Sequence, residues 1–291
     1  MKIAIVGLGK MGANMAERLR RHDVHVVGYD RDPEHSDVAS LDDLVTALDG
    51  EPRRVVWTMV PAGAPTNDTI EALAGLLSAG DLVVDGGNSN FRDSQRHAEL
   101  LGQHDVAFVD AGVSGGVWGL EEGYCIMAGG DEASIRHLRP VFDALVTEGG
   151  FAHVGPVGTG HFVKMVHIGV EYALMQSYAE GYELLTTVDL DIDVPATLQV
   201  WRHGSVVRSW LLDLLADGLA KDPGLASVSG YAEDSGEGRW TVAEAIANAV
   251  PTPAITAALF ARFASRHDDS PAMRAIATLR NQFGGHAVRS A

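Results

Sequence analysis

Apolar residues follow two different patterns along the chain. Up to about residue 155, short apolar runs of strand length alternate with stretches of helical period. Ile3–Val6, Val24–Tyr29, Arg54–Val60, Leu82–Asp85, Ala107–Asp110, Tyr124–Ala128 and Phe151–Val154 read as strands. Ala13–Arg21, Leu41–Leu48, Asn67–Leu77, Asp93–Leu101 and Asp131–Val146 read as helices. Continuous apolar strands joined by helices predict a parallel sheet covered on both faces. After Gly160 the strand signals stop. His161–Val188 reads as one long helix without an internal proline, and helical periodicity continues to Asn281. The pattern predicts an α/β domain over residues 1–158 and an all-α domain over residues 159–291, joined at Gly155-Pro156-Val157-Gly158.

Composition narrows the class. Of 291 residues, 46% are apolar and 21% charged, which supports a packed core and argues against disorder. Cys125 is the sole cysteine, so an intramolecular disulfide and a four-cysteine zinc site are excluded. A net charge of −17 disfavours nucleic acid and anionic membranes as partners. Any anionic substrate therefore needs a local basic pocket. The apolar start, Met1 to Gly7, is too short for a signal peptide, and there is no run of eighteen uncharged apolar residues. A cytoplasmic protein without a membrane span is expected.

Candidate chemistry begins at Gly7-Leu8-Gly9-Lys10-Met11-Gly12, a GxGxxG between a predicted strand and a predicted helix. The first glycine allows the tight turn, the second lets backbone approach a pyrophosphate, and the third permits close helix–strand packing. The helix N-terminus adds N–H groups and partial positive charge. This context makes the α/β domain a Rossmann dinucleotide-binding domain rather than one with a bare glycine turn. Asp30 ends the second strand, where a carboxylate accepts ribose hydroxyls and repels a 2′-phosphate. NAD is therefore the expected cofactor. Arg31 could hold a 2′-phosphate or stack on adenine, which keeps NADP open. Val60, after the third strand, and Asn88, after the fourth, complete the expected cofactor set.

The long helix carries a polar stripe. At ~100° per residue, Lys164 and Glu171 lie ~20° apart and two turns distant, with His167 and Tyr172 on either side. Such a stripe faces either solvent or a ligand cleft. Its place, where the dinucleotide domain ends, favours the cleft. Lysine and carboxylate about ten ångströms apart suit an acid–base pair acting on two ends of a small substrate, given ~1.5 Å of rise per residue. Burial beside a cationic ring would lower the lysine toward neutrality. Two glycine-rich turns, Asp85-Gly86-Gly87-Asn88-Ser89 and Val113-Ser114-Gly115-Gly116, follow apolar strands at the sheet edge where such ligands bind.

Taken in order, GLGKMG, DGGNS, GVSGG, GHFVKMVHxGxEY, MQxxAEG, WRxGxxxRS, GxGRWT and RNQFGGH closely resemble the decarboxylating 6-phosphogluconate dehydrogenases. The resemblance covers nearly the whole chain, and the length is that of the short form. It implies that Lys164 takes the proton of the 3-hydroxyl during oxidation and returns it as carbon dioxide leaves. It implies that Glu171 protonates C1 of the enediol. Asn88, Ser114, Gly115, Gly116 and His167 would hold the sugar acid. Tyr172 and Arg208 would bind its phosphate, with Arg280 and His286 supplied by a partner subunit's tail. A homodimer or higher homo-oligomer is implied, and no metal. Two arginines suit a phosphate dianion through bidentate hydrogen bonds.

Three departures stand out. Ile168 occupies a position that is asparagine in many members. Asp30-Arg31-Asp32 stands where NADP-using long forms carry Asn-Arg-Thr, which again favours NAD. Ser235-Gly236-Glu237 replaces a Lys-Gly-Thr, so two phosphate contacts are not carried over and Glu237 would oppose a phosphate that it faced. Two other functions compete. A β-hydroxyacid dehydrogenase, such as one for 3-hydroxyisobutyrate, would share the fold and the lysine without needing Glu171 or the phosphate arginines. A catalytically silent dinucleotide sensor would need neither Lys164 nor Glu171.

Overall fold

The structure is a computed structural model, and it describes residues 1–284 and residue 287. The chain divides into two compact units, Met1–His167 and Ile168–Ala291.

The first unit is α/β. Its strands are β1 (Lys2–Val6), β2 (His25–Tyr29), β3 (Val55–Thr58), β4 (Leu82–Asp85), β5 (Ala107–Ser114), β6 (Tyr124–Gly129) and β7 (Val146–Gly155). Between them run α1 (Lys10–Arg21), α2 (Leu41–Thr46), α3 (Ala64–Leu76), α4 (Phe91–Gly102), the short α5 (Gly119–Glu122) and α6 (Glu132–Leu145). They form one seven-stranded sheet in the order β2-β1-β3-β4-β5-β6-β7. β1 lies between β2 and β3, so the chain reverses direction across the sheet there, which makes it the switch point where dinucleotides bind.

Strand alternation builds both layers. Ile3, Ile5, Val55, Trp57, Leu82 and Val84 pack on one face with Met15 and Leu19 of α1 and Phe142 of α6. Ala4, Val6, Val56 and Val83 pack on the other with Ile70 and Leu73 of α3 and Leu101 of α4. Alternate side chains point to opposite, equally covered faces, which explains why these strands are apolar at consecutive positions along most of their length.

One pair departs from the predicted all-parallel sheet: β5 and β6 are antiparallel. The connection, residues 115–123, is shorter than the dozen or so residues that a parallel crossover needs. β5 also runs to Ser114, past the predicted end at Asp110.

A long helix, α7 (Thr159–Thr187), starts in the first unit and continues into the second. The second unit adds α8 (Val194–Trp201), α9 (Trp210–Lys221), α10 (Glu237–Ala247), α11 (Pro253–Ala264) and α12 (Pro271–Gly284). Val194, Leu198, Leu212, Ala216 and Leu219 form one small core. Ile168, Tyr172, Ala258 and Leu259 form another. Ile168, one of the departures, is thus a core residue packed beside Tyr172. Every residue from 271 to 280 is exposed. No helix among the described residues is long and apolar enough to cross a membrane.

Candidate functional site

The glycine turn sits at the switch point and is held from both sides. Gly7 has φ +92°, a left-handed conformation that favours glycine, and a Cβ there would lie 2.7 Å from the Met59 carbonyl. A Cβ on Gly12 would collide with the Gly7 carbonyl, so α1 packs directly on the turn. Around Gly9 nothing lies within 4 Å of the corresponding position. Gly9 is the N-cap of α1, with no side-chain cap and no acidic residue in the first turn. The opening N–H groups at Lys10, Met11 and Gly12 are those an α-helix leaves without intrahelical partners, so this end suits an anion.

Asp30 is tied to the same turn. Its carboxylate accepts the Leu8 N–H at 2.6 Å and the Asp32 N–H at 2.9 Å. The Asp32 N–H, and then Leu8, hold it below the usual carboxylate range against the opposing effect of burial. A charged acceptor is therefore fixed beside the glycine turn, and Arg31 next to it is exposed. Val60 follows β3, and a Cβ on Gly87 would lie 2.9 Å from its carbonyl. The loops after β1, β3 and β4 therefore converge. Asn88 is exposed at that edge.

The next strand edge carries Ser114. Gly115 and Gly116 follow with φ of +130° and +53°, which few other residues adopt, and they turn the chain sharply out of β5. The Ser114 hydroxyl lies 3.5 Å from Nε2 of His167. Lys164, one turn earlier on α7, is 5% exposed, buried against Gly112 of β5. The structure thus brings Lys164, His167 and Ser114 together. Sequence reading missed two residues here, Gly112 and the fully buried Asp110. The available signal was a charged residue inside an apolar strand.

In the second unit the stripe continues through Glu171, partly exposed, and Tyr172, 6% exposed. The Tyr172 hydroxyl accepts the Ser235 N–H at 3.0 Å and lies 3.3 Å from the Ser235 hydroxyl. Arg262 of α11 lies over the Tyr172 ring, 3.7 Å from its centroid, and donates to the Glu233 carbonyl at 2.9 Å. Sequence reading missed this arginine. Asp234 is bracketed by Arg239 and Arg266, each at 2.7 Å. Those guanidiniums, Arg239 first, hold its carboxyl far below the ordinary range. Glu237 is 2% exposed and accepts from the Ser235 hydroxyl at 3.4 Å, so its carboxylate is turned inward. Gly238 of the GxGRWT motif sits where a Cβ would lie 2.7 Å from the Tyr172 ring.

Arg208 is exposed, in a segment whose neighbours Val207 and Ser209 bond the Tyr178 hydroxyl at 2.7 and 2.8 Å. Arg262 is a cation set directly against the Tyr172 ring. Arg280 is exposed on α12, and His286 lies outside the described residues. Among the described residues no group of three or more His, Cys, Asp or Glu side chains is placed to hold a metal ion.

Residues 2–155 match the NAD binding domain of 6-phosphogluconate dehydrogenase, and residues 160–284 match the C-terminal domain of the same enzyme family. The NAD(+)-dependent, decarboxylating 6-phosphogluconate dehydrogenase of Haloferax volcanii is 41% identical over 299 residues, covering 99% of this chain and 98% of that one. A longer Bacillus subtilis enzyme of the same description is 34% identical, and the alignment covers 90% of this chain but 61% of that one. Among solved structures, Plasmodium falciparum 6-phosphogluconate dehydrogenase superposes with a TM-score of 0.82 at 25% identity, covering 100% of this chain and 66% of that one. Mycobacterium tuberculosis 3-hydroxyisobutyrate dehydrogenase gives 0.74 at 25% identity, covering 96% and 99%. A Rossmann-like NAD-binding unit carrying GxGxxG, followed by the matching helical domain, identifies this chain as a member of the 6-phosphogluconate dehydrogenase family.

Proposed function

We propose that the protein converts 6-phosphogluconate to ribulose 5-phosphate and carbon dioxide, using NAD in preference to NADP. The observation that carries this reading is Lys164, buried beside Ser114 and His167 on the helix that also bears Glu171 and Tyr172. The cofactor fits the chain at two points: open space over Gly9 at an uncapped helix end, and the Asp30 carboxylate fixed at that turn. When bound, the nicotinamide supplies the hydride acceptor. Lys164 takes the 3-hydroxyl proton as that carbon is oxidised, then returns it to the carbonyl oxygen as carbon dioxide departs. A 3-keto acid loses carbon dioxide readily, so oxidation prepares the second step. Glu171 then protonates C1 of the enediol. Asn88, Ser114, Gly115, Gly116 and His167 hold the hydroxyls and carboxylate.

Tyr172 holds the phosphate, and Arg262, stacked on its ring, supplies cationic charge near a loop that has Ser235 and Glu237 in place of lysine and threonine. Arg208 joins them, with Arg280 and His286 from a second subunit. The homodimer this requires is supported by α12, where Met273, Ile276 and Leu279 recur along an entirely exposed segment. A cytoplasmic setting suits a chain whose sole cysteine, Cys125, is an exposed free thiol. Initial rates of nicotinamide reduction test the proposal, measured with 6-phosphogluconate and with 3-hydroxyisobutyrate, each with NAD and NADP. Fast reduction of NAD by 6-phosphogluconate alone is expected. Preference for 3-hydroxyisobutyrate would reassign the protein to the β-hydroxyacid dehydrogenases.

A further inference from the structure

The first turns of α7 rest on β5 through three successive rungs. Asp110, Gly112 and Ser114 alternate along the strand and share one face. His161, Lys164 and His167 recur every three residues and share one side of the helix. At the first rung the Asp110 carboxylate accepts the Gly158 N–H and the His161 N–H, both at 2.7 Å. At the second, a Cβ on Gly112 would collide with Cβ of Lys164 and come 2.8 Å from the Gly160 carbonyl. At the third, Ser114 reaches His167.

The side chains are graded to this crossing. Two strand residues rise ~6.6 Å and three helix residues ~4.5 Å, so helix and strand can stay in register only over a short length. Strand and helix meet closely at a pair of glycines, Gly112 of β5 and Gly160 of α7, where any side chain would collide with the facing element. Beside this contact the Asp110 carboxylate holds the helix start, and further along the strand Ser114 and His167 approach across it. His161 adds a lateral strut, its Nδ1 2.7 Å from the Ser94 hydroxyl of α4.

We propose that Asp110 and Gly112 are positioning residues, which set the depth and register of Lys164 at the end of β5. This inference rests on Lys164 being the base of the proposed reaction. A capped helix alone would not require this arrangement. Asp110 is fully buried, and burial pushes its carboxyl up although His161 and both N–H donors pull it down. Maintaining a carboxylate there costs stability, whereas a serine or asparagine cap would serve an ordinary helix start. Gly112 likewise lacks any turn requirement, since it lies within the extended strand.

Gly112→Ala and Asp110→Asn, made in the full chain, test the proposal. The alanine methyl must push Lys164 aside. The asparagine amide turns an NH2 toward one of two N–H donors. Each variant should lose kcat by about 10²-fold, as misplacement by an ångström does. KM for 6-phosphogluconate and Kd for NAD should stay near wild type. Displacement should also make Lys164 react several-fold faster with an amine-directed reagent, located by mass spectrometry. Unchanged kcat and labelling, or loss of NAD binding in parallel with kcat, would overturn the assignment. If Gly112→Ala fails to fold, Asp110→Asn carries the test. If the wild type does not oxidise 6-phosphogluconate, the functional reading fails, and the labelling ratio still decides the positioning role.

Discussion

The two units dispose of their apolar residues differently. In the α/β unit, strands such as Val55–Thr58 and Leu82–Asp85 are buried at every position, and both faces of the sheet are filled by the unit's own helices. In the helical unit the cores are small, and large apolar side chains remain outside them. Leu184, Leu190, Ile246 and Leu279 are each more than half exposed. The first unit completes itself, with a cofactor turn fixed by its own backbone. The second carries more apolar surface than its own packing uses, as expected of a chain that associates with a second copy. Cofactor binding should therefore belong to one chain, and full substrate binding to two.

The largest expected effect comes from Lys164→Ala. Removing a general base should lower turnover by about 10²- to 10⁴-fold, while Kd for NAD, measured by fluorescence titration, stays unchanged. Substantial turnover in that variant would remove the assignment. Leu279→Asp on α12 attacks the other side of the comparison. Losing one buried leucine contact of roughly 1.5–3 kcal/mol should weaken association about ten- to hundredfold. If the proposed dimer forms through this face, sedimentation should show a larger monomer fraction than wild type at equal concentration, and KM for 6-phosphogluconate should rise with NAD affinity intact. Identical masses for both proteins would count against this face as the interface.

Asp30→Asn should have a smaller effect. Removing one repulsive charge worth about 1 kcal/mol shifts the NAD/NADP preference roughly fivefold toward NADP. A constant cofactor ratio would show that the Asp30 carboxylate does not face the ribose. The smallest effect concerns acid stability. Burial lowers the affinity of His97 and His137 for protons in the folded state. Unfolded histidines protonate near 6.5, so below that pH the unfolded chain binds protons that the folded chain refuses. Stability should rise as pH increases through about 6.5, and His97→Gln should shrink that slope in urea unfolding.

Most of the α/β unit is legible in its sequence because its signals are local. The strand–glycine–helix turn at Gly7 and the acid at Asp30 lie close together along the chain. The antiparallel pairing of β5 and β6 was harder to see, because buried strands are apolar in either direction. Only the short 115–123 connection distinguishes the two arrangements. GVSGG read as a turn, whereas its first residues extend β5, because Gly112 is needed for close approach rather than for turning. Asp110 read as a strand end, because a charge inside an apolar run usually means one. Arg262 was not visible at all. It lies far along the chain from Tyr172, and nothing in the periodicity of α11 marks the side that meets that ring.

The stoichiometry of carbon dioxide released to nicotinamide reduced tests the central claim most directly, with 6-phosphogluconate as the sole substrate. The account predicts one carbon dioxide per NAD reduced, with ribulose 5-phosphate formed in equal amount. Reduction of NAD without carbon dioxide release would show that the chain oxidises its substrate and stops there, and would contradict the role given to Lys164 and Glu171 together.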